Sequence, residues 1–287
     1  MSEKQAKQAF NQLSPKEWVQ YSRSVWNIRT PPRNQHQFEH GATFPATLVE
    51  RVIKLYSQEG DLILDPFLGT GTTLVVAKKL KRYGIGLELY EKYATIAKQS
   101  LIQMDLWEEY PQRVICDDCR NLLQYVEPNS VQLMLTSPPY ADFIHRSVQD
   151  RKKSHKNSIL VTENLSTVKP YGDDQRDFGN LDYESFLHEI KDLMRKLLIA
   201  TKPGGYNIWV VKDHRDPQNG RPLIPLHSDL AKAGEEVGFK WHDLIIWDQN
   251  EQRKLVLLGY PSAFYVNINH TFLVVLRKPY NRKEEER

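Results

Sequence analysis

The feature that most limits what this chain can fold into is a repeated alternation of short apolar strands with amphipathic helices, running from Leu62 to the last apolar segment at Leu276. Leu62-Ile63-Leu64-Asp65 reads as a short buried strand, Thr72 to Leu80 as a helix, Tyr83 to Glu88 as a strand and Glu91 to Met104 as a helix. Arg113 to Cys116 and Val131 to Thr136 are two more strands. A long helix is predicted over Tyr183 to Thr201, where apolar residues fall at 186, 187, 190, 193, 194, 197 and 198, the spacing of one helical face. Pro203-Gly204-Gly205 breaks it, and Tyr206 to Val211 follows as a strand. Leu226 to Val237 is a helix ended by Gly238, and Phe239 to Trp247 and Thr271 to Leu276 are the last strands. Upstream, Pro45 and apolar residues at 48, 49, 52, 53, 55 and 56 predict a helix that stops before Gly60, with the proline in its first turn. Strands joined through helices run parallel, and helices then cover both faces of the sheet. The last two strands have no helix between them and are expected to pair antiparallel. The expected fold is α/β, with seven strands.

Composition sets the class. The chain has 287 residues, enough for one large domain or two small ones, and 40% of them are apolar, too many for general disorder. The longest apolar run is Phe272 to Leu276, far short of a membrane span, and the charged first twenty residues lack the apolar core of a secretory signal. Two cysteines cannot staple a secreted scaffold, so a reducing, cytoplasmic setting is expected. A net charge of +3 permits nucleic acid as a partner without demonstrating it. Residues 1–40 read as an arm with a short helix and an extended stretch around Pro31-Pro32, residues 41–278 as the catalytic domain, and 279–287 as a charged tail.

Three segments carry chemistry. Asp65-Pro66-Phe67-Leu68-Gly69-Thr70-Gly71-Thr72-Thr73 ends a strand in a carboxylate, makes a glycine-rich turn and opens a helix, whose free N–H groups suit an anion. Thr72-Thr73 stands where a phosphate-binding loop needs lysine, and Leu74 where a dinucleotide fingerprint needs its third glycine. One βα unit later, Tyr83 to Glu88 ends in a second carboxylate, the usual place for a group that grips ribose hydroxyls. Thr136-Ser137-Pro138-Pro139-Tyr140 then follows a strand directly. Its adjacent prolines remove two donors, so Ser137 and the Pro138 carbonyl can accept from an amine while Tyr140 stacks on a flat ring.

On these residues the chain resembles class I S-adenosylmethionine-dependent methyltransferases, in particular DNA amino-methyltransferases of the Ser-Pro-Pro-Tyr type. The resemblance implies a Rossmann-like sheet and S-adenosylmethionine as cofactor. It implies cofactor contacts from Phe44 in Phe44-Pro45, from Asp65, Phe67, Gly69, Gly71, Thr72 and Thr73, from Glu88, and from Asp118 near the adenine amino group. It gives Ser137, Pro138, Pro139 and Tyr140 the catalytic part, double-stranded DNA as partner, and a cognate restriction endonuclease as functional counterpart. The glycine turn precedes Ser-Pro-Pro-Tyr by about 70 residues, the reverse of the order common in enzymes with that motif, so target recognition must lie elsewhere than between the usual halves.

A buried base cannot reach such a pocket without leaving the duplex, so base flipping is implied. The insert 141–180, the longest stretch without periodicity, is the expected DNA-recognition region, because within its first part, residues 144–157, Arg146, Arg151, Lys152, Lys153 and Lys156 face Asp150 alone. The loop from Gln249 to Asn269, with Arg253, Lys254, Tyr260 and Tyr265, is a second candidate. Cys116 and Cys119 form a Cys-x-x-Cys pair with no further ligands nearby, so they are expected to be small buried hydrophobes and no metal is expected. Serine at the head of the motif favours cytosine N4 as the methylated atom. Adenine N6 in DNA, an amino group in RNA and a non-catalytic nucleic-acid-binding subunit are the alternatives.

Overall fold

The computed structural model describes residues 11, 13–29, 45–103, 109–139, 172–217, 220–252 and 264–280. Helix α1 (Pro15–Tyr21) is capped by Ser14 and Glu17 in a reciprocal capping box and leads to the two-residue strand β1 (Val25–Trp26). Helix α2 (Ala46–Tyr56) starts on Pro45, which caps it from just outside the first turn, and buries Leu48, Val49, Val52, Ile53 and Leu55 as its spacing predicts. The alternation follows as expected: β2 (Leu62–Asp65), α3 (Thr72–Lys79), β3 (Tyr83–Glu88), α4 (Glu91–Ile102), β4 (Gln112–Cys116) and β5 (Val131–Thr136). After it come α5 (Tyr183–Ala200), β6 (Thr201–Val211), the hairpin β7 (His214–Asp216) and β8 (Arg221–Ile224), α6 (Leu226–Val237), β9 (Lys240–Asp248) and β10 (His270–Arg277). Among the described residues, no helix is long and apolar enough to cross a membrane.

The large sheet has the order β4-β3-β2-β5-β6-β10-β9-β1. Strands β4, β3, β2, β5 and β6 are mutually parallel, and β10 lies antiparallel between β6 and β9. Its central strands are buried on both faces, so successive residues serve different cores. Leu64, Met134, Trp209 and Val274 point to the side of α5 and α6, whereas Ile63, Leu133, Ile208 and Leu273 point to the side of α2.

Three expectations need correction. Among the described residues the sheet has eight strands, because Val25 and Trp26 pair in parallel with Ile246 and Trp247. Two residues are too short to show a period of two, so the sequence gives only an extended arm. Strand β6 begins at Thr201, and Pro203-Gly204-Gly205 is a bulge within it: Val131 faces Thr201, yet Leu133 faces Tyr206. The hairpin β7–β8 was not expected, since His214-Arg215-Asp216 has no apolar pattern.

The described part of the arm is anchored in the core by Trp26. Trp26 is 1% exposed, lies beneath the Arg51 guanidinium at 4.4 Å and donates its indole N–H to the Arg23 carbonyl at 2.6 Å. Trp26→Ala is therefore expected to destabilise the protein by about 3–5 kcal/mol, the usual cost of removing a large buried ring, as a lowered midpoint in urea unfolding. A midpoint equal to that of the wild type would show that the arm is merely laid on the surface.

Candidate active site

The candidate site gathers at the carboxyl ends of β2, β3, β4 and β5, where an open parallel sheet offers loops and helix N-termini to a ligand. Asp65 closes β2 and is 1% exposed. Its Oδ2 accepts from Thr73 Oγ1 at 2.6 Å, and its Oδ1 from Thr136 Oγ1 at 2.7 Å and the Phe67 amide at 3.1 Å. Burial pushes the Asp65 carboxyl up to about 6, against the pull of these three donors. The residue thus ties the end of β2 to the end of β5 and to the first turn of α3, a joint that holds the turn in shape.

The turn between β2 and α3 is left-handed at Gly69 (φ +56°) and Gly71 (φ +89°). The Leu68 amide donates to the Leu87 carbonyl at 2.9 Å, so the turn is pinned to β3, and the Gly71 N–H closes back on the Leu68 carbonyl at 3.1 Å. Gly71 caps α3 without a side-chain acceptor, which leaves the amides of Thr72 and Thr73 at a helix start with dipole support for an anion. A Cβ on Gly71 would stand 2.8 Å from Cβ of Ala97 on α4. The glycine is thus demanded by helix packing as much as by any ligand.

Glu88 closes β3 and is 8% exposed. Its two oxygens accept from the Gly69 amide at 2.8 Å and the Tyr90 amide at 2.9 Å. Burial pushes its carboxyl up to about 7 despite those bonds, and the nearby acids Asp177 and Asp65 add to the rise. One carboxylate therefore links the glycine turn to the loop after β3, with lone pairs remaining for hydroxyl donors.

Asp118 follows β4 and caps the 3-10 helix Cys119–Gln124 through the Arg120 amide at 2.9 Å. Its second oxygen pairs with Arg120 Nη1 at 2.8 Å, and Arg120 Nε reaches Glu189 at 2.7 Å. The carboxyl assigned by resemblance to an adenine amino group is thus already oriented by an arginine. Cys119 is buried and its thiol pushed well up by burial, but Cys116 is exposed, contrary to expectation, because β4 is the edge strand of the sheet.

Ser137-Pro138-Pro139 continues β5 past Thr136, with Pro138 buried and its neighbours half-buried. Strands β2 and β5 are hydrogen-bonded neighbours, roughly 4.8 Å apart, so the glycine turn and the Ser-Pro-Pro turn stand side by side, bridged by Asp65 and Thr136. Phe44, Tyr140, Arg146, Arg151, Lys152, Lys153, Lys156, Arg253, Lys254 and Tyr260 lie outside the described residues. Tyr265 lies under the Arg215 guanidinium at 5.0 Å. Tyr90, Arg120, Asp177 and Phe178 also frame the site and were not anticipated. The last two fall in the insert, where no periodicity marks them.

A buried aspartate ending β2, a glycine turn, an acid ending β3 and an antiparallel strand slotted beside the last parallel one define the class I methyltransferase fold. Comparison with known proteins agrees. Residues 1–99 match the DNA methylase family of N6/N4 methyltransferases. The chain is 40% identical over 92 residues to the type II methyltransferase M.BglI of Bacillus subtilis, covering 32% of this chain and 26% of the relative. It is 50% identical over 58 residues to the type II methyltransferase M.ScaI of Streptomyces caespitosus, covering 20% and 19%. The matched stretches span about a quarter of the length of such curated relatives. The crystal structure of TrmN from Thermus thermophilus superposes with a TM-score of 0.52 at 17% identity, over 86% of this chain and 54% of that one, a likeness of fold.

Proposed function

We propose that this protein is a DNA methyltransferase that uses S-adenosylmethionine to methylate the exocyclic amine of a flipped base, with cytosine N4 as the target atom. The bridge from Asp65 to Thr136 carries this reading, because it sets the glycine turn of the cofactor side against the Ser-Pro-Pro turn of the target side. The donor set fits the cofactor. The α3 N-terminus suits its amino-acid carboxylate, Glu88 its ribose hydroxyls and Asp118 its adenine amine, with Phe67, Gly69, Gly71, Thr72 and Thr73 shaping the cradle. Phe44 is assigned to the same cofactor by resemblance alone. When bound, S-adenosylmethionine supplies an electrophilic methyl group.

The chain's own task is orientation. Ser137 Oγ and the Pro138 carbonyl accept from the target amine, which directs its nitrogen lone pair outward, and Tyr140 stacks on the flipped base. Arg146, Arg151, Lys152, Lys153 and Lys156, with Arg253 and Lys254, are proposed to contact DNA phosphates. Kinship with type II methyltransferases supports a bacterial, cytoplasmic setting and a cognate endonuclease. Mass spectrometry of nucleosides from DNA incubated with the protein and labelled cofactor tests the reading: labelled N4-methylcytosine is expected. N6-methyladenine in its place would overturn the base assignment alone, and unlabelled DNA would overturn the function.

The raised carboxyl of Glu88 makes cofactor binding pH-dependent. Ribose hydroxyls donate to the ionised carboxylate, so binding requires Glu88 to lose its proton, near pH 7. Affinity measured by calorimetry is expected to be about tenfold weaker at pH 6 than at pH 8, and flat for Glu88→Gln. Stability of the free protein should run the other way. Asp65 and Glu88 both have folded values above their unfolded ones, so their protonated forms favour the fold. That contribution is complete below about pH 4 and lost as pH rises through 6 to 7. A pH slope that survives Glu88→Gln would remove Glu88 from the cofactor site.

A further inference from the structure

The segment 172–180 touches a loop from every strand end of the candidate site. The Phe178 ring, 2% exposed, meets Phe67 after β2 edge-on at 5.3 Å, and the Arg120 guanidinium after β4 lies over the same ring, 4.3 Å from its centre. Arg120 Nη1 also donates to the Arg176 carbonyl at 2.9 Å. The Tyr90 hydroxyl after β3 donates to Asp177 Oδ2 at 2.8 Å. The other oxygen of Asp177, which is 5% exposed, accepts from the Gly179 amide at 2.8 Å and so fixes the 3-10 turn Phe178–Asn180. On the target side, a Cβ on Gly179 would stand 3.2 Å from Cβ of Pro139, tighter than ordinary contact, so this turn backs directly onto the Ser-Pro-Pro segment.

We propose that Tyr90 and Asp177 are positioning residues, which lock the turn Phe178–Asn180 between the cofactor loops and Pro139 and thereby set the target amine against the methyl donor. The proposal rests on the methyltransferase reading. The physical reason is the direction of each contact. Asp65 and Glu88 hold the glycine turn through bonds that do not involve Asp177, so that turn keeps its shape when the lock is lost. Pro139 has no side-chain hydrogen bond to offer, so its place depends on what packs against it. A displacement of about 1 Å between reacting groups can cost a hundredfold in rate, so even a small slip of this turn is felt in the chemical step.

The test compares Tyr90→Phe, Asp177→Ala and Asp177→Asn by calorimetry with S-adenosylmethionine and by single-turnover methylation of DNA. Asp177→Ala is expected to slow methyl transfer by roughly tenfold or more while cofactor affinity stays within about threefold. Tyr90→Phe should show the same split to a smaller degree. Asp177→Asn should stay within about threefold of the wild type in rate, because its amide oxygen accepts from Gly179 while its NH2 donates to the Tyr90 oxygen. An unchanged rate in Asp177→Ala, a proportionate loss of affinity, or an Asn variant as slow as Ala would overturn the proposal. Should Asp177→Ala fail to fold, Tyr90→Phe, which removes one hydroxyl, decides the matter. Amide hydrogen exchange at Ser137 and Gly179 gives a readout that needs no substrate. It should be faster in Tyr90→Phe, and unchanged exchange there overturns the lock whatever the chain methylates. A wild-type protein that yields no methylated nucleoside would instead count against the function.

Discussion

Gly71→Val is expected to lose both fold stability and cofactor binding, and to lose them together. The backbone at Gly71 has φ +89°, a conformation that a β-branched residue adopts only under strain. The first added carbon would lie 2.8 Å from Cβ and 3.1 Å from Cα of Ala97, inside any real contact distance, and Ala97 is fully buried in α4 with nowhere to retreat. Strain and overpacking together should cost about 3 kcal/mol or more, seen as a lowered urea midpoint. Cofactor affinity should fall at least tenfold by calorimetry, because the turn that carries Gly69 towards Glu88 is displaced. From the sequence, the side chain would simply occupy the cofactor's space. That cause predicts lost binding at unchanged stability, so the two measurements made together separate it from the collision with Ala97.

Ser137→Ala is expected to lower methyl transfer about 10²-fold while leaving cofactor affinity within about threefold, if its hydroxyl helps orient the amine where charge develops. The buried anchor of this region is Thr136, whose hydroxyl is committed to Asp65, whereas Ser137 is half-buried one step further out. Removing its oxygen therefore leaves the joint between the two turns in place. Single-turnover rates and calorimetry on the same preparation test this. A rate within threefold of the wild type would give the orienting role to the Pro138 carbonyl alone.

Much of the fold was legible because both faces of the sheet are buried. Strands β2, β5 and β10 are short apolar runs, and helices α2 and α5 carry their apolar residues at helical spacing, so local pattern and final place agree. Elements whose pairing is decided at long range were not legible. Val25–Trp26 becomes a strand only because β9 offers an open edge, and His214–Asp216 only because Arg221–Ile224 returns beside it.

The site divides along the same line. Two carboxylates ending successive strands, a glycine turn opening a helix and Ser-Pro-Pro after a strand can all be read along the chain, since each is a contiguous segment whose chemistry is local. What those groups do depends on contacts made across the fold. Asp65 proves to be a joint between β2, β5 and α3, Gly71 a packing requirement of Ala97, and Asp118 a partner of Arg120. It also brought in Asp177 and Phe178 from a stretch with no sequence signal. Hydrogen bonds across 71 and 87 residues of chain leave no trace in the spacing of neighbours. They exist because the sheet stacks the ends of distant strands within a few ångströms of one another.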